Sequence, residues 1–139
     1  MNTDEALQLL TSALEKGGIA VVRTDTLYGI IALARIESAV ERVYEAKSRN
    51  PAKQCIILIT DPSDVPAHMS VLDDYGHKAE TPTSVIVPAT TEEPWLLRGC
   101  DTIAYRVVRD PFLRSVVEKV GPVIAPSANP EGQPPARTT

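Results

Sequence analysis

The stretch Thr102-Ile103-Ala104-Tyr105-Arg106-Val107-Val108-Arg109-Asp110-Pro111-Phe112-Leu113 decides the fold class. In its first part Ile103, Tyr105 and Val107 alternate with Ala104, Arg106 and Val108, which is the period of a strand. Asp110-Pro111 then offers an N-cap and a proline at the first helical position, and Phe112, Val116 and Val120 form the inner stripe of a helix that Gly121 ends. Val123 to Ala125 reads as another short strand. Strand, helix and strand in succession point to an α/β protein.

Working outward, Leu7, Leu10 and Leu14 recur at helical spacing between Thr3 and Lys16, with Gly17-Gly18 as a stop. Ile19 to Arg23 is a short β-rich run, and Thr24-Asp25-Thr26 turns the chain into Leu27 to Ala34. Between Ile36 and Lys47, Val40, Val43 and Tyr44 line one helical face, and Asn50-Pro51 is expected to stop that helix. Cys55 to Ile59 reads as a buried strand, Ser84 to Val87 as another, and the polar span 61 to 82 as irregular with one helix near Ser70 to Lys78. About four helical patterns among five or six strands favour an α/β sandwich over an all-β or all-helical fold, in one domain over residues 1–139. The segment 129–139, rich in proline and polar residues, reads as a loop.

A 139-residue chain with 43% hydrophobic residues can bury a core, and a net charge of -4 counts against direct or strong binding of tRNA. Neither a long apolar run nor a leader peptide is evident, so the expectation is a cytoplasmic protein without membrane contact. Cys55 and Cys100 are expected to be free thiols, with Cys55 in the core, and isolated His68 and His77 define no metal site. Trp95 reads as a packing anchor.

Two polar signatures carry the functional question. Lys47-Ser48-Arg49 could grip phosphates through a point charge and a planar fork, or could be an ordinary basic helix end stabilised by the macrodipole. Ser127-Ala128-Asn129 could close over the same ligand or be plain turn chemistry. Arg106, a charge within an alternating strand, could bind a carboxylate or lie along a solvated sheet face.

The order Arg23-Thr24-Asp25-Thr26-Leu27-Tyr28-Gly29, Lys47-Ser48-Arg49, Ile103-Ala104-Tyr105-Arg106 and Ala125-Pro126-Ser127-Ala128-Asn129 resembles the YrdC/Sua5 family of threonylcarbamoyl-AMP synthases over nearly all of the chain. The resemblance implies the family's YrdC-like α/β fold, a twisted open mixed sheet flanked by helices, and an enzyme that joins L-threonine, bicarbonate and ATP into threonylcarbamoyl-AMP and pyrophosphate. The product feeds the tRNA threonylcarbamoyltransferase machinery that makes t6A. By the same resemblance Lys47, Arg49, Lys53, Ser127 and Asn129 contact ATP, while Thr26, Tyr28, Thr102 and Arg106 hold threonine. Mg2+ accompanies the nucleotide, and no side-chain nucleophile is needed, so catalysis rests on positioning and charge neutralisation. A nucleotide- or RNA-binding protein of the same fold without turnover, and a related carbamoyl-transfer enzyme, are the alternatives.

Three departures and a length difference accompany the resemblance. Arg23 and Asn50 stand where the family has proline, and Ile30-Ile31 stands where it has leucine-glycine, which would narrow a cavity where backbone approaches ligand. The family continues beyond the Ser-x-Asn loop, so the expectation is a domain incomplete at its C-terminal side, with an exposed edge inviting self-association.

Overall fold

The computed structural model describes residues 2–23, 28–48, 50, 52–77 and 83–126. Helix α1 (Thr3–Glu15) opens on Asn2, whose side chain accepts from the Glu5 amide at 2.8 Å. Gly17 follows its last turn at φ 86, a conformation that favours glycine. Strands β1 (Ala20–Arg23) and β2 (Tyr28–Leu33) pair antiparallel, and α2 (Glu37–Lys47) follows. It ends at Lys47, as the sequence implies, but by a different device: Ser48 turns left-handed at φ 51 and its amide closes on the Glu45 and Tyr44 carbonyls, before Asn50-Pro51 is reached.

After β3 (Ile57–Ile59) the expected single helix near Ser70 is broken up. Short 3₁₀ turns at Pro62–Asp64 and Pro66–His68 lead to α3 (Met69–Leu72) and a π turn over Asp73–His77. Prolines 62 and 66 start the two turns, and Asp61 and Asp64 cap the first one reciprocally. Strand β4 (Ser84–Pro88), a short α4 (Pro94–Leu97), β5 (Thr102–Val107), α5 (Pro111–Val120) and β6 (Val123–Ile124) complete the order. The α4 turn was not legible in the sequence pattern, although Trp95 on it anchors as expected, its indole N–H donating to the Ala34 carbonyl at 2.8 Å. Asp110 caps α5 through the Leu113 amide, and the inner stripe is Leu113, Val116, Val117 and Val120, with Phe112 partly buried against it.

The six strands lie in the order β1-β2-β6-β3-β5-β4. Strand β6 pairs antiparallel with both β2 and β3, and β3 runs parallel to β5. It follows that β2, β3 and β5 run one way and β1, β6 and β4 the other. This is the mixed open sheet flanked by helices that the family resemblance implies.

Period-two alternation splits each strand between the faces. Ile31, Leu33, Leu58 and Val123 pack under α1 and α5 with Leu14, Leu113 and Val116. Ile30, Ala32, Ile57, Ile103, Tyr105, Val107 and Ile124 pack under α2 with Val40, Val43 and Tyr44. Ile31 is fully buried in the first cluster, so its bulk fills core under the helices and does not narrow a cavity at a strand end. Among the described residues α1 and α5 cover the β1-β2-β6-β3 part of their face. Further along it, Thr102 is exposed, Ala104 and Arg106 are half-buried, and Ile86 on β4 is 72% exposed.

Burial makes a direct prediction. Ile103→Ala empties a site of zero exposure and is expected to lower unfolding free energy by roughly 2–5 kcal/mol. Ile86→Thr on the exposed edge strand should stay within about 0.5 kcal/mol. Urea unfolding of the two variants beside the parent chain measures both.

Candidate functional site

Strand directions collect the chemistry at one rim of the sheet. The C-terminal ends of β1, β6 and β4 and the N-terminal ends of β2, β3 and β5 share it, so Arg23, Tyr28, Ile57, Thr102 and Pro88 all reach the same edge. Pro126 reaches it too, its carbonyl accepting from the Ile30 amide at 3.3 Å, while the Ala125 amide donates to Ile56 at 3.0 Å. Ligands in open α/β sheets usually bind at the carboxyl ends of strands, and at this rim β1, β6 and β4 supply such ends.

Of the sequence-predicted residues, Lys47, Lys53, Thr102 and Arg106 are described in full and Tyr28 through its main chain, which pairs with Arg23. Thr26, Arg49, Ser127 and Asn129 lie outside the described residues. Lys47 ends α2 only 2% exposed and interacts with neighbouring groups. Lys53 is exposed at the approach to β3. Its amide donates to the Asn50 carbonyl at 3.0 Å, and the Asn50 side chain accepts from the Ala52 amide at 2.9 Å. The Tyr44 hydroxyl donates to the Lys53 carbonyl.

Arg106 lies between Leu58 and Ser84 in register and shares their face of the sheet. Its Nε and Nη2 donate to the Ser84 hydroxyl at 3.1 and 2.9 Å, which fixes the plane of the guanidinium. Thr102 sits on the same face four residues earlier, at the rim. The expected cation and hydroxyl of β5 are therefore on one open face.

Sequence reasoning missed the supports of this rim. Gln54 donates through Nε2 to the carbonyls of Leu97 at 2.9 Å and Thr102 at 2.7 Å. Arg98, left-handed at φ 52 after α4, lies 3.6 Å from the Tyr44 ring centroid and pairs with Glu41 at 2.8 Å. Burial opposes the Arg98 charge, but the Tyr44 hydroxyl and the Glu41 carboxylate outweigh it and hold the guanidinium above its ordinary pKa. Burial pushes the Tyr44 hydroxyl up. These contacts join residues tens of positions apart, and no local pattern announces them.

On the opposite face Tyr105 donates a hydrogen bond to Glu92, beside a cavity of about 200 Å³ lined by Ala34, Ile57, Ile59, Leu96 and Tyr105. Burial works to raise the Glu92 pKa. The Tyr105 hydroxyl and the Thr90 donors overcome it and hold the carboxyl below the ordinary glutamate range. Tyr105 is raised by burial first and by Glu92 second. That cavity lies across the sheet from Arg106 and Thr102. Cys55 is buried and Cys100 exposed, neither in a disulfide, and His68 hydrogen-bonds the Pro88 carbonyl at 2.8 Å. Among the described residues no group of three or more His, Cys, Asp or Glu is placed to hold a metal ion, and no helix is long and apolar enough to cross a membrane.

Comparison with known proteins places this geometry in context. A family model named for Sua5, YciO and YrdC, described as telomere recombination, matches residues 12–139. A threonylcarbamoyl-AMP synthase of Klebsiella pneumoniae is 30% identical over 144 residues, covering 97% of this chain and 76% of that protein. One from Pseudomonas fluorescens is 31% identical over 141 residues, covering 95% of this chain and 75% of the relative. The crystal structure of P. abyssi Sua5 complexed with L-threonine superposes with a TM-score of 0.84 at 25% identity, covering 98% of this chain, which spans 42% of that one.

The Tyr105–Glu92 bond yields a pH prediction. A carboxyl whose folded pKa is depressed stabilises the fold above the unfolded glutamate value, near 4.3, and loses that contribution as pH falls through the folded value. Tyr105→Phe should therefore cost about 0.5–1 kcal/mol at pH 7, since Glu92 is partly exposed, and the gap to the parent should close in acid. At the other end, the unfolded tyrosine ionises near pH 10 while the folded hydroxyl stays protonated, so the parent should lose stability above about pH 10 more steeply than the variant. Unfolding free energies measured from pH 3 to 11 test both limbs.

Proposed function

The chain belongs to the Sua5–YciO–YrdC family, and from that membership we propose that it forms threonylcarbamoyl-AMP and pyrophosphate from L-threonine, bicarbonate and ATP. The observation that carries this reading is the convergence of the strand ends at one rim, with Lys53, Thr102 and the arginine face of β5 beside it. Relatives named threonylcarbamoyl-AMP synthase, and a Sua5 crystallised with threonine, support the same substrates.

In this reading the threonine amine attacks bicarbonate and releases water to give a carbamate. A carbamate oxygen then attacks the α-phosphorus of ATP, the bond to the β-phosphate oxygen breaks, and pyrophosphate leaves with the electron pair. Arg106 binds the threonine carboxylate as a planar fork, its plane held by Ser84. Thr102, with Thr26 and Tyr28, would hold the rest of the amino acid. Lys53, with Lys47, Arg49, Ser127 and Asn129, takes the nucleotide and neutralises the departing pyrophosphate. The triphosphate oxygens would carry Mg2+, since the residues named here are cations and neutral donors rather than metal ligands. The product would be consumed by the tRNA threonylcarbamoyl-transfer machinery, and a chain with net charge -4 suits handing over a small activated molecule better than gripping tRNA.

Pyrophosphate release should require all three substrates, and product identification by mass spectrometry distinguishes threonylcarbamoyl-AMP from another carbamoylated acceptor. Arg106→Ala is expected to raise the threonine KM by about 10- to 100-fold with a smaller effect on ATP, from the roughly 1.5–3 kcal/mol of a charge-assisted contact. Lys53→Ala should do the reverse. Serine should replace threonine poorly, but by no more than the roughly 1–3 kcal/mol of one methyl group. Turnover without bicarbonate would end this mechanism, and ligand binding without turnover would leave a binding protein of the same fold.

A further inference from the structure

Resting on the reading that ATP and threonine meet at this rim, we propose that Gln54 is a positioning residue that locks the Lys53 segment to the start of β5 and thereby makes nucleotide and threonine binding cooperative. A carboxamide carries two N–H hydrogens, and here Nε2 serves two acceptors, the Leu97 carbonyl at 2.9 Å and the Thr102 carbonyl at 2.7 Å. Those acceptors bracket the turn through Arg98 and Gly99, which runs at φ 52 and 82. A left-handed arginine persists when its surroundings hold it. Arg98 is held by the Tyr44 ring beneath it and by Glu41 at 2.8 Å.

The same Tyr44 donates its hydroxyl to the carbonyl of Lys53, the residue immediately before Gln54. Helix α2, the approach to β3 and the α4–β5 turn are thus tied at one point. Lys53 belongs to the proposed nucleotide half and Thr102 to the threonine half. A displacement of either peptide pulls on Gln54 and hence on the other, so the ligand that orders one half lowers the cost of ordering its neighbour. Gln54 acts through these main-chain carbonyls, which makes it a positioning residue rather than a catalytic one.

The test compares the parent with Gln54→Ala and with Gln54→Glu, which keeps the size but loses the donors when ionised. Calorimetric titration with threonine, with and without a non-hydrolysable ATP analogue, and the reverse titration give the coupling factor in both directions. Deuterium exchange without ligand reads the amides of residues 53–57 and 100–103. The parent should show a factor of about fivefold or more, equal in both directions, and both variants less than about twofold. Affinity for each ligand alone should move by less than about threefold, and exchange in both segments should rise together. Coupling unchanged in the variants, or absent from the parent, overturns the proposal, even if the variants melt at lower temperature. A parent that binds neither ligand overturns the functional reading and the cooperativity with it. In that case exchange still decides the lock: protection lost in both segments supports it, and protection unchanged removes it.

Discussion

The pairing of β6 with both β2 and β3 is the constraint on which the rest depends. Two residues, Val123 and Ile124, complete the centre of a sheet whose other members come from the first hundred or so positions. Without them β2 and β3 would present unpaired main-chain groups to a buried interior, a cost comparable to losing each hydrogen bond outright. With them Ile124 enters one core and Val123 the other, so one short strand joins the two clusters. It also reverses direction relative to its neighbours, and that reversal brings its end to the rim where β2, β3 and β5 begin.

Alternation on β5 then decides which side chains meet which environment. Tyr105 and Arg106 are adjacent in sequence yet lie on opposite faces, the first bonded to Glu92 beneath the helices and the second held by Ser84 on the open face. A buried hydroxyl paired with a partly exposed carboxylate needs little space. A guanidinium carries more donors than one hydroxyl can use, so it suits the part of the sheet that α1 and α5 leave uncovered among the described residues. Arg98 shows the other way to keep such a charge inside: an aromatic face below and a carboxylate at its edge.

Most elements were legible because their signals are local. The Asp110-Pro111 start, the Gly17 stop and the alternation of β5 each rest on residues within a turn of one another. The end of α2 at Lys47 was legible but its cause was not: Ser48 adopts a left-handed cap that its residue type does not announce, and Pro51, the conspicuous breaker, comes too late to matter. The region from Asp61 to His77 resisted reading because prolines and aspartates break it into single turns with no common period. Among the proposed site residues, Arg106, Thr102 and Lys53 are assigned through the resemblance, since a lone charge on a strand has a common structural explanation. Gln54, Tyr44 and Arg98 were not found at all, because their meaning lies in contacts between α2, the β3 approach and the turn after α4.

The departures from the family pattern acquire a physical sense from the same contacts. Asn50, which stands where the family resemblance expects a proline, closes a turn of its own: its side chain accepts from Ala52 and its carbonyl from Lys53. An asparagine side chain closes such a turn with a hydrogen bond that mimics backbone. The segment that presents Lys53 also has outside supports, the Tyr44 hydroxyl on one flank and the Gln54 carboxamide on the other. Its conformation is thereby held by the side chains of Asn50, Tyr44 and Gln54, drawn from the turn itself, from α2 and from the approach to β3.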